Sequence, residues 1–401
     1  MNKKEILEYH EEDKIGTVIK QDLKNQGDLS LVYTPGVAVP ALEIKDNPEK
    51  VYDYTNKRNS VAVITNGTAV LGLGNIGVLA AKPIMEGKCI LFKKFADIDA
   101  TDILVDSKEP KEFVKIVEKI SKTYGGINLE DIKAPECFEI EKALKKCLDI
   151  PVFHDDQHGT AIVSGAALLN ALEINGKKIE EIKVVVVGAG AAGIACAKLF
   201  LKLGVKKRNL VMFDSKGVIS EGKEYNKYKK EFAVGKEVSI SEAIDGVDVF
   251  LGTSVANVLS AEMLKLMNEN PIVFAMANPE PEINYELAKN TREDVILATG
   301  RSDCSNQINN VLAFPFVFRG ALDVRAKEIN EKMKIAAVHA IAKIARESEK
   351  FDKEHIVPDI WNKKLFSEVS FAVAKSAIET GVARKKIDLG EYKNFLNSKI
   401  L

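Results

Sequence analysis

Residues 183–193 read Lys-Val-Val-Val-Val-Gly-Ala-Gly-Ala-Ala-Gly, and the reading of this stretch decides the fold. Four consecutive valines make a short β-branched run suited to a strand buried on both faces. The pattern Gly188-x-Gly190-x-x-Gly193 follows without a break. A strand that feeds a glycine turn opening a helix is the dinucleotide fingerprint. The first glycine makes the turn, the second admits the diphosphate, and the third lets helix and strand pack closely. The pattern predicts a helix from Ala191 to Leu203, closed by Gly204. A strand Leu210–Phe213 comes next and leads into Asp214, about 20 residues beyond the last glycine, where a carboxylate accepts a hydrogen bond from the ribose. Lys216 or Lys223 stands close enough to meet a 2′-phosphate. NAD is therefore favoured, with NADP left open.

Working outward, a second match at Gly72-x-Gly74-x-x-Gly77 lacks this completion, because the apolar run after it ends in Lys93-Lys94 rather than an acid. It reads as a tight turn before a helix, Ile76–Glu86, stopped by Gly87, with strand-like Cys89–Phe92 beyond. Residues 60–64, 101–105 and 151–153 read as further strands, and roughly the first 30 residues as polar helix. A small-residue helix is predicted over Ala161–Asn170. Apolar runs at Val247–Leu251, Ile272–Ala275 and Ile296–Ala298 then alternate with helical stretches, the βαβ rhythm of a doubly wound sheet. Two late helices are expected, Ala321–Arg346 and Trp361–Thr380, the latter stopped by Gly381. The fold class is α/β: a C-terminal doubly wound Rossmann-type parallel sheet, a smaller N-terminal α/β domain and C-terminal helices. The expected boundaries are 1–155, 156–380 and a helical tail 381–401.

At 401 residues, 46% hydrophobic and 29% charged, the chain is long enough for two or three cores. A net charge of -1 gives no basic field for nucleic acid or an anionic membrane, and the lysines of 227–230 read as a solvated face. No apolar run is long enough to span a bilayer, and the start, Met-Asn-Lys-Lys-Glu, lacks a leader's apolar core. Five scattered cysteines with no Cys-x-x-Cys pair fit free thiols in a reducing cytoplasm.

Two acidic pairs stand out: Glu130-Asp131, and Asp155-Asp156 within Phe-His-Asp-Asp-Gln-His-Gly-Thr (153–160). Either alone is ordinary for a solvated loop. Together, beside predicted strands and next to the glycine fingerprint, they make a set of hard oxygen ligands suited to Mg²⁺ or Mn²⁺. No Cys/His spacing supports zinc. His154 and His158 read as packing neighbours of such a site. By spacing alone, Lys88 reads as a surface lysine and Tyr33 as a loop aromatic.

Taken in order, these segments resemble the malic enzyme family in its short bacterial form. The matching stretches are Val32-Tyr-Thr-Pro-Gly-Val37, Gly72–Gly77 with Lys88 beyond it, Leu129-Glu-Asp131, Phe153–Thr160, Gly188–Gly193, Ala277-Asn-Pro279 and Asn306-Gln-Ile-Asn-Asn310. The resemblance implies oxidative decarboxylation of L-malate to pyruvate and CO₂ with reduction of NAD(P), through bound oxaloacetate and a divalent metal. It implies Lys88 as the base at the C2 hydroxyl, Asp155 as its proton partner, and Tyr33 as the acid that protonates the enol carbon. Glu130, Asp131 and Asp156 would hold the metal. Thr160 and Asn278 would lie at the nicotinamide end, and Asn278, Asn309 and Asn310 against the substrate. A homodimer without an acyltransferase-like extension is expected. A lysine acting as base needs a lowered pKa, which burial and a nearby metal would favour.

Two departures matter. Ala69 stands where longer relatives carry an arginine for a substrate carboxylate, which leaves that grip to other donors such as backbone N–H groups of Thr34–Val37. Cys304-Ser305 replaces an aromatic-proline pair before Asn306. Rival readings are malolactic conversion to lactate, a metal-independent amino-acid dehydrogenase, and a non-catalytic nucleotide sensor.

Overall fold

The computed structural model describes residues 2–70 and 72–399. Two sheets organise the chain. The first has four parallel strands in the order β2-β1-β3-β4: β1 (Ser60–Thr65), β2 (Asp99–Leu104), β3 (Gly126–Leu129) and β4 (Val152–His154). The second has six, in the order β10-β9-β8-β5-β6-β7. They are β5 (Val184–Val187), β6 (Leu210–Asp214), β7 (Gly217–Val218), β8 (Val249–Gly252), β9 (Ile272–Ala275) and β10 (Ile296–Thr299). All pair in parallel except β7, an antiparallel edge.

Every residue of β1, β3, β4, β5, β8, β9 and β10 is buried, as expected of strands covered on both faces. The chain runs outward from β5 to β6 and returns to β8 on the other side. The β5/β8 boundary is therefore the switch point, and the crevice for a ligand opens at the C-terminal ends of those strands.

Several expectations are corrected. Cys89–Phe92 is not a strand, and Gly87 does not end a helix. Both lie inside one helix, Val78–Ala96, which stops at Asp97 in the left-handed conformation (φ 49°). Its buried residues are Ala81, Met85, Lys88, Cys89, Phe92 and Ala96. That spacing is helical, and the four-residue apolar run hid it. Lys88 consequently sits on the buried face, only 8% exposed. The strand read beside Glu130-Asp131 is β3, and its range carries no clear mark in the sequence because Gly-Ile-Asn-Leu is short and mixed. The predicted helix Ala321–Arg346 is two helices, Phe314–Asp323 and Glu331–Arg346, the second opened by Asn330, whose side chain accepts from Met333 N. Trp361–Thr380 begins as a π-helical turn at Leu365–Val369 before Ser370–Glu379. In the first 30 residues, helix is confined to Lys3–Glu11 and the start of Gln26–Val32.

Asp155–Asn175 is the spine of the molecule. It follows β4 directly, packs along Ala191–Leu203 and Glu331–Arg346, and buries Ala161–Leu168 without interruption. Small residues allow this crowding. A Cβ on Gly159 would lie 1.9 Å from Asp155 Oδ1, and one on Gly165 would be 3.1 Å from the Leu203 methyl.

Candidate active site

Three elements end at one place. β3 delivers Glu130 and Asp131, the first turn of Asp155–Asn175 delivers Asp155 and Asp156, and the buried face of Val78–Ala96 delivers Lys88. Lys88 Nζ lies 2.8 Å from Asp155 Oδ2 and 3.0 Å from Glu130 Oε1. It is 3.4 Å from Asn310 Oδ1 and 4.4 Å from the centre of the Phe314 ring. Asn128 Nδ2 donates to Glu130 Oε2 at 2.9 Å, and Asp131 N donates to Asp156 Oδ2 at 2.8 Å. Asp131 itself adopts φ 54°.

Glu130, Asp131 and Asp156 each offer a carboxylate oxygen within 4.8 Å of the others. This all-oxygen set fits a hard divalent cation and suits zinc poorly. Electrostatics point the same way. Burial pushes Asp155 and Glu130 each up to about 7 and Asp156 up to about 6, despite the Lys88 charge beside them. Glu130, Asp155 and the part-buried Asp156 crowd one ammonium and repel one another, a repulsion that a cation held beside them would relieve.

Lys88 responds in the opposite direction from the expectation. Burial alone would lower its pKa. The charges of Asp155 and Glu130, the hydrogen bond to Asp155 and the charge of Asp156 outweigh burial and hold it raised. His154 is fully buried with its Nε2 3.7 Å from Asp156, and burial pushes it down to about 4. His158 turns away to Glu141 at 2.8 Å.

At the switch point the glycines fulfil separate requirements. Gly188 has φ 113°, and a Cβ there would meet Thr253 O at 2.5 Å. A Cβ on Gly193 would sit 1.8 Å from Gly188 O, whereas one on Gly190 would meet nothing within 4 Å. Gly190 thus faces open space, as a diphosphate seat requires. Asp214 ends β6, accepting from Lys216 N at 2.8 Å and from Lys229 Nζ at 2.6 Å. Burial would raise its carboxyl, but Lys229 and the Lys216 N–H hold it below the usual range. Lys229 is therefore not part of a solvated face, and Lys223 is engaged with Glu237 at 2.7 Å.

The other candidates divide. Asn310 joins the Lys88 cluster, while the Asn309 side chain caps the following turn by accepting from Val311 N at 3.0 Å. Thr160 stands on the same helix as Asp155 and is half-buried. Asn278 is exposed, and the Gly72 turn approaches it so closely that a Cβ would lie 2.4 Å from Asn278 O. The Gly72–Gly77 turn thus touches the loop after β9, joining the two halves of the chain. Tyr33 is 68% exposed, and no hydrogen bond or ring contact among the described residues links it to Lys88. Of the N–H groups expected to replace the arginine at Ala69, those of Gly36 and Val37 are spent within their own turn, donating to Ser30 O and Tyr33 O, and Pro35 has none to offer. The sequence reading missed Asn128, Phe314 and Lys229. Only Lys229 left a signal, as a lysine within reach of Asp214 across a short loop.

Comparison with known proteins agrees with this geometry. Residues 12–145 match the family model described as malic enzyme, N-terminal domain, and residues 157–380 match malic enzyme, NAD binding domain. The chain is 52% identical to the NADP-dependent malic enzyme of Halomonas elongata, covering 94% of each chain. It is 54% identical to the NAD-dependent malic enzyme of Geobacillus stearothermophilus, over 94% of this chain and 80% of that one. The crystal structure of malic enzyme from Pyrococcus horikoshii superposes with a TM-score of 0.94 at 42% identity, over 100% of this chain and 96% of that one. Against other curated relatives it matches, the chain spans about half their length.

Proposed function

This chain belongs to the malic enzyme family, and from that premise we propose that it oxidises L-malate with a nicotinamide dinucleotide and decarboxylates the bound oxaloacetate to pyruvate and CO₂. The observation that carries this reading is Lys88 Nζ between Asp155 and Glu130, at the edge of a three-carboxylate cluster. In this reading Glu130, Asp131 and Asp156 hold Mg²⁺ or Mn²⁺. When bound, the dinucleotide accepts the hydride and the cation polarises the C2 oxygen so that CO₂ can depart.

Lys88 takes the C2 hydroxyl proton, and Asp155, 2.8 Å away, receives or returns it. The raised lysine pKa means the proton must pass on to Asp155 before Lys88 can act as a base. A carboxyl group pushed up to about 7 is matched to that exchange near neutral pH. Asn310 steadies the ammonium from the other side. Thr160 and Asn278 serve the nicotinamide end, and Asn278, Asn309 and Asn310 border the substrate, Asn309 through its Nδ2 because its Oδ1 accepts from Val311 N. Asp214 at the end of β6 supports NAD over NADP, since a carboxylate there favours a free ribose hydroxyl.

Tyr33 protonates the enol carbon in this scheme, and its exposure calls for a second copy of the chain. The helices Lys3–Glu11, Gln26–Val32 and Ala38–Asp46 bury no residue at all. They expose Leu29, Leu31, Val32, Val39 and Leu42, a run of apolar surface that a homodimer would cover.

The deciding experiment follows NADH and NADPH formation from malate with Mn²⁺, with and without EDTA. Pyruvate and reduced dinucleotide formed only with metal are expected. Lactate without net reduction, or turnover that ignores EDTA, refutes the reading.

A further inference from the structure

Glu282 carries a charge that the reaction proposed above leaves without a role. It is wholly buried, 0% exposed, in the loop between β9 and the helix Tyr285–Thr291. Burying a carboxylate without a counter-charge is costly. No lysine or arginine among the described residues pairs with Glu282, and its oxygens face N–H and O–H groups only. Burial pushes its carboxyl group up, and the N–H groups of Ala277 and Ser254 offset that only in part.

The donors come from two loops. Oε1 accepts from Ser254 N at 2.8 Å and from Ser254 Oγ at 3.4 Å, just beyond the end of β8. Oε2 accepts from Ala277 N at 2.9 Å, just beyond the end of β9. The main chain reinforces the join: Pro281 O accepts from Asn257 N at 3.3 Å, and Glu282 O from Leu259 N at 3.0 Å. The carboxylate also lies over the end of β8, where a Cβ on Gly252 would come within 2.4 Å of Glu282 Cδ. A carboxylate suits this place better than an amide. Two N–H groups approach from different loops, and each needs an acceptor. A carboxylate accepts on both oxygens, whereas an amide accepts on one side and donates on the other.

Both loops open on the crevice at the C-terminal ends of the strands. Thr253, next to Ser254, packs on the glycine turn, where its Oγ1 donates to Gly188 O at 3.2 Å. Asn278, next to Ala277, is met by the Gly72 turn and by Gly300, where a Cβ would lie 2.9 Å from Asn278 Nδ2. Glu282 thus ties the wall of the diphosphate seat to the loop that carries Asn278.

We propose that Glu282 is a positioning residue for hydride transfer: its carboxylate fixes the loops after β8 and β9 relative to each other, and so holds Asn278 and the nicotinamide end in register with malate at Lys88. The role rests on the reaction proposed above and on Asn278 lying at the nicotinamide end. Glu282 acts through Ser254 and Ala277, not on the reacting atoms.

The test is Glu282→Gln in the full chain with Mn²⁺. The amide keeps the size and accepts from one loop, but its NH₂ group meets the N–H of the other and releases that loop. Enzyme in excess over the dinucleotide is mixed rapidly with saturating malate, and the first turnover is followed by the absorbance of the reduced dinucleotide. The rate constant should fall by about 10–100-fold, in a phase that malate deuterated at C2 slows further. Loss of folded enzyme alone would lower the amplitude and leave the parent's rate constant, and that result overturns the proposal. So does a slower phase that is indifferent to deuteration. Should Glu282→Gln not fold, Glu282→Asp carries the same test, since it keeps the charge but is a methylene too short to span both loops. A parent that forms no reduced dinucleotide from malate refutes the reaction and this role with it, whereas a working parent beside an unaffected variant refutes the role alone.

Discussion

The carboxylate cluster makes a quantitative prediction about metal withdrawal and pH. Asp155 and Glu130 are each pushed up to about 7, and Asp156 up to about 6, against ordinary values near 4 in the unfolded chain. Between those limits the folded state binds more protons than the unfolded one, so the metal-free protein loses stability as pH rises. His154 and His158, both pushed down to about 4 by burial, act with the opposite sign below pH about 6.5. From pH 6.5 to 8 each unfolded histidine still sheds about half a proton, which adds back about 0.4 kcal/mol apiece, but it does so with or without metal and so cancels from the metal's contribution. Raising pH from 6.5 to 8 removes most of the remaining proton from Asp155 and Glu130, at about 1.4 kcal/mol per proton per unit, for a combined loss of about 1–2 kcal/mol. A saturating divalent cation should cancel this loss, because it takes the place of the protons on Glu130 and Asp156 and its charge favours the ionised form of Asp155 beside them. The assay is urea unfolding at the two pH values, in EDTA and in excess Mg²⁺. The metal's contribution should grow by about 1–2 kcal/mol from pH 6.5 to 8. A contribution that stays flat, or shrinks, across that window refutes the assignment of these acids as a proton-or-metal site.

Four substitutions test the remaining assignments. Lys88→Ala should lower kcat by about a thousandfold or more while leaving dinucleotide affinity within about twofold, measured by turnover and by fluorescence titration with NADH. Gly190→Ala should fold with unchanged Tm but bind dinucleotide at least about tenfold more weakly. Gly193→Ala, whose Cβ would meet Gly188 O at 1.8 Å, should also destabilise the protein by about 2–4 kcal/mol in urea. Asp214→Ala should weaken NAD by about tenfold and narrow its advantage over NADP, compared by initial rates. It also frees Lys229, now 2.6 Å from the carboxylate, to meet a phosphate.

Much of the dinucleotide half was legible because its signals are local. The valine run, the three glycines and the acid at the end of the next strand are each tied to a backbone requirement within about 30 residues. Glu130, Asp131 and Asp156 were legible as ligand types, and the structure brings their oxygens within 4.8 Å of one another. Lys88 was legible only by resemblance. Read alone, it fell between a glycine that looked like a helix stop and an apolar run that looked like a strand. The helix runs through both because Met85, Cys89 and Phe92 recur at its period and face the core.

Strand and turn identity near the glycines is thus determined by the sequence itself, since Gly188 at φ 113° and Gly193 against a carbonyl leave no alternative residue. The charge state of the site is not. Whether Lys88 titrates low or high depends on how many carboxylates converge on it from β3 and from the helix Asp155–Asn175, and on how dry that meeting point is. Those acids lie tens of residues away along the chain. Only packing sets their distances, and with them the balance between burial, which lowers the lysine, and charge, which raises it. The same holds for Tyr33. Its place in the chain is plain from sequence, but its exposure on an arm that buries nothing is a property of the folded protomer alone.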